Sequence, residues 1–316
     1  MTSYNNFIGL DIGKFNFCAV VYGHKKTYEY TNDTSGIQQF LQDYQDYLIN
    51  ALCILETTGG YEMDVLLTLC EQGIAVHRAN TRKVKNFIRS YGDRAKTDNL
   101  DAKALALYGF ERSARLDLFK PQSKKMQDLY ELVGRRNDLK QMLIAEKNRL
   151  AAPRSQTIQS SCHTMIETLS QEISLITASI TTFIEEDPQL TAKKTELKTI
   201  PGIGNIIANE LVVLLPELGH LNRKQIASLV GLAPRANDSG RLTGYRRTGH
   251  GRQLIKPALF LAAMAARKSK SELKIFYENL IKRGKKKMVA LVALMRKIIV
   301  IANAKLRDLI LIKKEI

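Results

Sequence analysis

Residues 6–22 read NFIGLDIGKFNFCAVVY, and this stretch decides the fold of the amino-terminal part of the chain. Its apolar runs predict two strands or one long bent strand. Further strands are predicted at 27–31, 51–56 and 74–80, and helices at 35–49 and 61–73. Strands that alternate with helices in this way indicate an α/β domain with a mixed sheet.

Beyond residue 80 the apolar spacing becomes helical. Residues 98–113 predict one helix, and 121–186 predict two long helical segments that break around Ala151-Ala152-Pro153. Near-heptad spacing in that stretch favours a helical hairpin or coiled coil, which suits oligomerisation. Asp187-Pro188 marks a further boundary. We therefore expect an α/β domain at 1–118, a helical coiled-coil linker at 119–186 and a mostly helical carboxy-terminal domain at 187–316.

The charge of the chain indicates a polyanionic partner. Its 316 residues include 48 Lys and Arg against 31 Asp and Glu, which gives a net charge of +17. Nucleic acid is the favoured partner, with an anionic membrane surface as the alternative. The sequence has neither an 18-residue apolar run nor a secretory signal, so we expect a cytoplasmic protein without spanning helices. Four isolated cysteines argue against a zinc ribbon and a disulfide framework.

Four carboxylates form the first candidate site. Asp11 lies inside an apolar strand, where a charge is costly unless it is used or paired. Glu56 ends a buried strand, and Asp98 and Asp101 are three apart and share one helical face. Such oxygen ligands suit Mg²⁺, and two such ions assist phosphoryl transfer. Alternatively, Asp98 is a helix N-cap, Asp101 favours the first turn and Glu56 is solvated.

The second candidate site is the stretch DSGRLTGYRRTGHGR at 238–252. Serine is a poor nucleophile without a base or metal nearby, but several guanidinium groups around Ser239 could hold a scissile phosphate. From spacing alone, an ordinary Ser-Gly turn on a basic surface is the favoured interpretation.

Two further patterns indicate contacts with nucleic-acid phosphates. The sequence IPGIG at 200–204 predicts a helix-hairpin-helix-like turn that exposes backbone N–H groups, or else a packing turn between two helices. Basic runs lie at 81–96 and 281–287, where few acidic residues interleave. The candidate phosphate-binding side chains are Lys83, Lys85, Arg89, Arg241, Arg246, Arg247, Arg252, Lys285 and Lys286.

Seven motifs together carry a family resemblance. In chain order they are IGLDIGK, LETTGGYE, KTDNLDAKALA, IPGIG, GLAPRANDSG, GRQLIKPALF and GKKKMVALVALMRKIIVIANAKLRD. Each is modest alone, but in this order they resemble the DEDD transposases of bacterial insertion sequences, relatives of the Piv and MooV recombinases. The resemblance spans nearly the whole chain and is weakest at 121–186.

The resemblance implies a RuvC-like, RNase H-like amino-terminal domain and a carboxy-terminal transposase domain. By motif position the DEDD tetrad, which would hold Mg²⁺ or Mn²⁺, falls on Asp11, Glu56, Asp98 and Asp101. The family's nucleophilic serine falls on Ser239, which reverses the interpretation from spacing alone. The motif Gly249-His250-Gly251-Arg252 departs from the family's Gly-Gly-Arg, so the role of His250 stays open.

The resemblance also implies partners and a reaction. The partners are DNA at the element ends and the target, a noncoding bridge RNA as guide, and further copies in a dimer or tetramer. Domains of different subunits would build one composite site. We expect an insertion-sequence transposase that forms a phosphoserine intermediate. The alternatives are a Piv-type invertase, a Holliday-junction-type endonuclease that uses only carboxylates and water, and a non-catalytic nucleic-acid-binding protein.

Overall fold

The amino-terminal strands form one mixed sheet in the computed structural model, which describes residues 4–91, 98–121, 123–236, 238–240 and 244–315. The five strands are β1 (Asn6–Ile12), β2 (Asn16–Val21), β3 (Tyr28–Thr31), β4 (Ala51–Glu56) and β5 (Ala75–Ala79). Their order is β3-β2-β1-β4-β5, in which β1, β4 and β5 are parallel and β2 is antiparallel to both its neighbours. The predicted mixed sheet is confirmed, and the stretch 6–22 forms two strands.

Helices cover both faces of this sheet. They are α1 (Thr34–Asp43), α2 (Gln45–Leu48), α3 (Met63–Glu71), α4 (Thr81–Ser90) and α5 (Asp98–Arg112), followed by a 3-10 turn at Ser113–Arg115. Ile8 and Leu10 of β1 pack with α1 and α3 on one face, whereas Ile54 of β4 packs with α4 and α5 on the other. Burial on both faces explains why β1 and β4 are almost continuously apolar.

The chain divides into two compact units, Met1–Gln122 and Ser123–Ile316. The second unit consists of α6 (Lys124–Ala151), α7 (Gln156–Glu185), α8 (Pro188–Lys198), α9 (Asn205–Leu214), α10 (Arg223–Leu229), α11 (Lys256–Ala266), α12 (Glu272–Lys282) and α13 (Lys287–Glu315). Asp187 caps α8 by accepting hydrogen bonds from the N–H groups of Gln189 and Leu190, with Pro188 in the first turn. The predicted boundary at Asp187-Pro188 is thus a helix start.

Helices α6 and α7 pack against each other along the chain segment for which the sequence predicts a helical hairpin or coiled coil. One end of this helix pair belongs to the core of the second unit. Leu129 and Val133 of α6 and Ile180 and Ile184 of α7 are buried in the same core as residues of α8 to α13. The helices of the predicted linker segment therefore contribute to the core of the second unit. In the part of the chain that the structure describes, no helix is both long and apolar enough to cross a bilayer.

Candidate active site

Asp11 and Glu56 lie at neighbouring positions on the two central parallel strands. The register pairs Leu10 of β1 with Leu55 of β4, and Asp11 and Glu56 are the next residue of each strand. Aligned side chains of adjacent strands point to one face, and strands lie about 4.8 Å apart. Leu10 and Leu55 are fully buried on the opposite face. Both carboxylates therefore share the face covered by α5, where each is half-buried.

Helix α5 packs on this face directly over Gly9. A Cβ atom on Gly9 would lie 2.0 Å from the carbonyl oxygen of Ala102 and 2.5 Å from the backbone nitrogen of Ala106. Ala102 and Ala106 also contact Cys18 and Val20 of β2. Only a glycine on the strand and small residues on the helix allow so close an approach.

The direction of α5 brings its start toward Asp11. Phe110, near the end of α5, packs against Phe7 at the start of β1 with ring centroids 5.6 Å apart. Ala102 lies over Gly9, so the helix runs antiparallel to β1. Its first turn, with Asp98 and Asp101, therefore lies toward the end of β1 that carries Asp11. Asp101 is half-buried, and the Asp98 side chain lies outside the described residues.

The donor set at this edge suits a hard divalent cation, because it consists of carboxylate oxygens. Asp11, Glu56 and Asp101 each have an interaction within the chain. Among the described side chains, however, no group of three or more His, Cys, Asp or Glu residues is arranged so that it could hold a metal. The Asp98 side chain lies outside the described residues, and the metal-binding tetrad stays a prediction.

Glu62 is a structural residue beside the candidate site that no sequence pattern singled out. Its side chain is fully buried and accepts hydrogen bonds from Thr58 N (3.1 Å), Thr58 Oγ1 (2.9 Å) and Gly60 N (2.9 Å). Arg78 of β5 donates through Nε (3.1 Å) and pairs with the same carboxylate through Nη2. The turn that directly follows Glu56 is thus held by one carboxylate.

The charge of Glu62 is stabilised where it lies. Burial raises the pKa of Glu62, but hydrogen bonds from its own backbone N–H, Arg78 and Thr58 outweigh this effect and lower the pKa to about 2. The available signal was the second glutamate of LETTGGYE, six residues after Glu56. Its partner Arg78 is distant in sequence and could not be assigned from the motif.

Ser239 lies at an exposed turn in the second unit. Arg235 and Arg247 form an antiparallel bridge, with Arg235 N donating to Arg247 O at 3.0 Å. Asp238 pairs with Arg246 at 2.8 Å and accepts a hydrogen bond from Gly244 N at 3.1 Å. Ser239 lies between these paired residues and is followed by Gly240 at φ 55°. The described residues of 235–252 make up the Ser239 loop. Arg241 lies outside the described residues.

Arg252 anchors the far end of this loop. Its guanidinium donates to the carbonyl of Leu214 (2.7 Å) and forms a bidentate pair with Glu217. Its backbone N–H donates to Leu229 O at 2.8 Å. Arg252 therefore holds the Ser239 loop onto the ends of α9 and α10, and its predicted contact with nucleic acid stays a prediction.

Two family models match most of this chain. Residues 8–154 match the model DEDD_Tnp_IS110, described as a transposase, and residues 194–278 match the transposase IS116/IS110/IS902 family. The chain belongs to the IS110 family of transposases. Membership confirms the resemblance found in the motifs and implies an enzyme that acts on DNA. The DEDD transposases are generally dependent on a divalent metal.

Curated relatives of this IS110-family chain include two pilin gene-inverting proteins, one from Moraxella lacunata and one from Moraxella bovis. Each is 28% identical to it over 312 residues, which cover 96% of both proteins. The similarity therefore extends over both structural units.

The IPGIG turn of this IS110-family chain has a packing role. Gly202 adopts φ 94°, and a Cβ there would lie 2.3 Å from the carbonyl oxygen of Ala262 in α11. Gly204, which precedes α9, faces open space. The other predicted phosphate contacts are exposed: Lys83, Lys85 and Arg89 on α4, Arg246 and Arg247 in the Ser239 loop, and Lys285 and Lys286 before α13.

Proposed function

We propose that the chain cuts and rejoins DNA with its four acidic residues and Ser239. Asp11, Glu56, Asp98 and Asp101 would hold Mg²⁺ or Mn²⁺, which when bound stabilises the charge that develops on the phosphoryl group and the leaving oxygen. The observation that carries this proposal is the contact of α5 with Gly9, since it brings the helix start toward the strand ends of Asp11 and Glu56.

The proposed reaction conserves the phosphoester. Ser239 Oγ forms a bond to the scissile phosphorus while the bond to the leaving sugar oxygen breaks. The proton lost by the serine is balanced by the one that the leaving oxygen takes up, so that the DNA strand departs with a free hydroxyl. The arginines of the loop would bind the phosphate oxygens. A DNA hydroxyl then attacks the phosphoserine, which restores the diester and frees the serine without ATP.

Trapping of the covalent intermediate tests the serine. Wild-type protein should form a protein–DNA adduct that survives denaturation, and Ser239→Ala should abolish it. Ser174→Ala, which alters an exposed serine of α7, is the control and should trap normally. An undiminished adduct in Ser239→Ala protein would exclude this role, because another side chain would then be the nucleophile. DNA cleavage with no adduct even in the wild type would favour a Holliday-junction-type endonuclease that uses water.

Loss of one carboxylate tests the acidic residues. Asp11→Asn should abolish strand cleavage and leave DNA binding largely intact, because the substitution preserves the shape of the side chain. Full cleavage by this variant would contradict the proposed metal site. If replacement of all four acidic residues changed neither DNA binding nor any other measured property, the chain would be a non-catalytic binding protein.

We further propose that the chain acts as a homodimer or homotetramer on two DNA segments, guided by a noncoding RNA. The net charge of +17 supports this, because several polyanionic strands held together need a large positive surface. Purified protein should retain RNA that ribonuclease removes, with loss of target selection. Light scattering of the RNA complex should give the mass of two or four chains.

DNA inversion is the second candidate function, because both relatives described above invert a pilin gene. The chemistry would be the same on inverted sites within one replicon. The DNA that flanks the gene discriminates: a gene that lies alone between element ends indicates transposition, and paired inverted sites beside it indicate inversion.

A further inference from the structure

A cleft of about 410 Å³ lies in the first unit between α4, α5 and the turn that follows α5. Its polar and charged lining includes Lys83, Asn86, Ser90, Arg112, Arg115 and Asp117. Lys83, Asn86 and Ser90 lie at spacings of three and four on α4 and so share one face. Arg112 ends α5, and Arg115 ends the 3-10 turn.

The cleft is strongly cationic. Among the described residues, none of the three basic side chains forms an ion pair with a carboxylate. Asp117 supplies the carboxylate of the lining, and its backbone oxygen lies 2.7 Å from His77 Nδ1. The lining thus carries three positive charges against one negative charge, and this excess attracts an anion.

Helix stability does not explain these positions. Cations stabilise the last turn of a helix, which suits Arg112, but they are unfavourable in the first turn. Lys83 is in the first turn of α4, next to Arg82, where no acidic residue is present. Arg112 is also held in place, with its guanidinium 5.6 Å from the centroid of the Phe87 ring.

We propose that this cleft binds a backbone phosphate of a nucleic-acid strand, through Lys83, Arg112 and Arg115 with Asn86 as a hydrogen-bond donor. The choice of ligand rests on DNA as the family's substrate and is independent of the serine chemistry. The 15 residues of α5 separate the cleft from the acidic helix start by about 21 Å along the axis. That length corresponds to about six nucleotides of a strand at 3.4 Å each.

The test is the salt dependence of binding by the full chain in buffer with chelator. The probes are a duplex DNA, a single-stranded DNA and an RNA of the same sequence, followed by fluorescence anisotropy. In the variant Lys83→Gln/Arg112→Gln/Arg115→Gln, the slope of log K against log salt should fall by about 2–3 for duplex DNA, or by about 2 for a single strand. The probe whose slope falls identifies the strand that the cleft binds.

A matched variant controls for net charge. Lys125→Gln/Arg149→Gln/Arg307→Gln removes three charges from side chains that are ion-paired in the second unit, and should preserve the slope. Loss of the Arg112–Phe87 contact could unfold the triple variant. The single variant Arg115→Gln keeps that contact, and its salt slope for duplex DNA should fall by about 0.9. Unchanged slopes for all probes, or an equal fall in the control, would overturn the proposal.

The same assay separates this proposal from the proposed function. Asp11→Asn protein should bind with the wild-type slope and fail to cleave. If it does so while the triple variant also keeps its slope, the cleft proposal fails and the carboxylate chemistry stands. If the salt slope falls in the triple variant and Asp11→Asn protein still cleaves DNA, the cleft proposal stands and the carboxylate chemistry fails.

Discussion

Gly9 of β1 and Ala102 of α5 are in direct backbone contact, such that a Cβ on Gly9 would lie 2.0 Å from the Ala102 carbonyl oxygen. Asp11 follows two residues later on the same face of β1, and Asp101 directly precedes Ala102. The separation of the two acidic residues is therefore set by a contact that involves no acidic side chain.

Gly9→Ala should destabilise the first unit by about 1–3 kcal/mol or more, because the new methyl group meets backbone that cannot move without displacing α5. The rate of DNA cleavage by the folded variant should fall as well, since the start of α5 moves away from Asp11. Chemical denaturation followed by circular dichroism measures the first effect, and a cleavage assay below the unfolding transition measures the second.

Gly109→Ala is the matched control in the same helix. A Cβ there would lie 2.1 Å from Cδ1 of Ile54, which is the flexible end of a side chain. The loss of stability in Gly109→Ala should be smaller than in Gly9→Ala, and DNA cleavage should be largely preserved. Equal losses in both variants would contradict the importance of the Gly9 contact.

Local patterns in the sequence predict the strands and their ends well. Apolar runs locate β1 and β4, and a charge inside or at the end of such a run identifies Asp11 and Glu56. The direction of α5 on the sheet depends on a contact between residues about ninety positions apart, and no local pattern contains it. The pairing of Glu62 with Arg78 is long-range in the same sense.

The structural role of Arg252 could not be predicted from the sequence for a different reason. Its neighbours in sequence are basic, so the segment indicates a surface for phosphates. The carboxylate that pairs with it, Glu217, belongs to the turn after α9, thirty-five residues earlier. A local excess of charge thus predicts phosphate binding by Arg252, and it gives no sign that folding also supplies Arg252 with a carboxylate partner.

Glu62→Gln should lower stability by roughly 3 kcal/mol at neutral pH, the lower end for breaking a buried ion pair, because Arg78 is partly exposed. The folded-state pKa of Glu62, about 2, is below its ordinary 4.5, so the charged form stabilises the fold. This contribution is complete above about pH 4.5 and is lost as the pH falls toward 2. Urea denaturation across this range should show the two proteins converge.

Glu71→Gln, at the exposed end of α3, is the control for that experiment. Its stability should follow the wild type at each pH. A difference between wild type and Glu62→Gln that persists unchanged to pH 2 would show that the charge of Glu62 has no part in stabilising the turn.

Arg252→Gln should loosen the Ser239 loop and reduce adduct formation. The variant loses the bidentate pair with Glu217 and the bond to Leu214, and a partly exposed pair of this kind contributes about 1 kcal/mol. Hydrogen exchange of residues 244–251 should become faster. The salt slope of DNA binding should not change, whereas a residue that contacts a phosphate would reduce it by about 0.9.

A double-mutant cycle with Glu217→Gln separates these effects. If Arg252 acts through Glu217, the double variant should exchange no faster than Arg252→Gln alone. Additive effects, together with a reduced salt slope, would assign Arg252 to the nucleic acid instead.

Removal of divalent metal should stop strand cleavage and preserve DNA binding, if the carboxylates at the end of β1 and β4 hold the ion. Binding to the folded state alone also raises stability, by about 2.7 kcal/mol when the free metal is at 100 times its Kd. Mg²⁺ or Mn²⁺ should therefore raise the thermal midpoint of the wild type in scanning calorimetry.

Asp11→Asn should lose most of this shift, because it removes a ligand. Asp64→Asn changes an exposed carboxylate of α3 and should show the full shift. An equal shift in all three proteins would place the metal elsewhere, even if cleavage still required it.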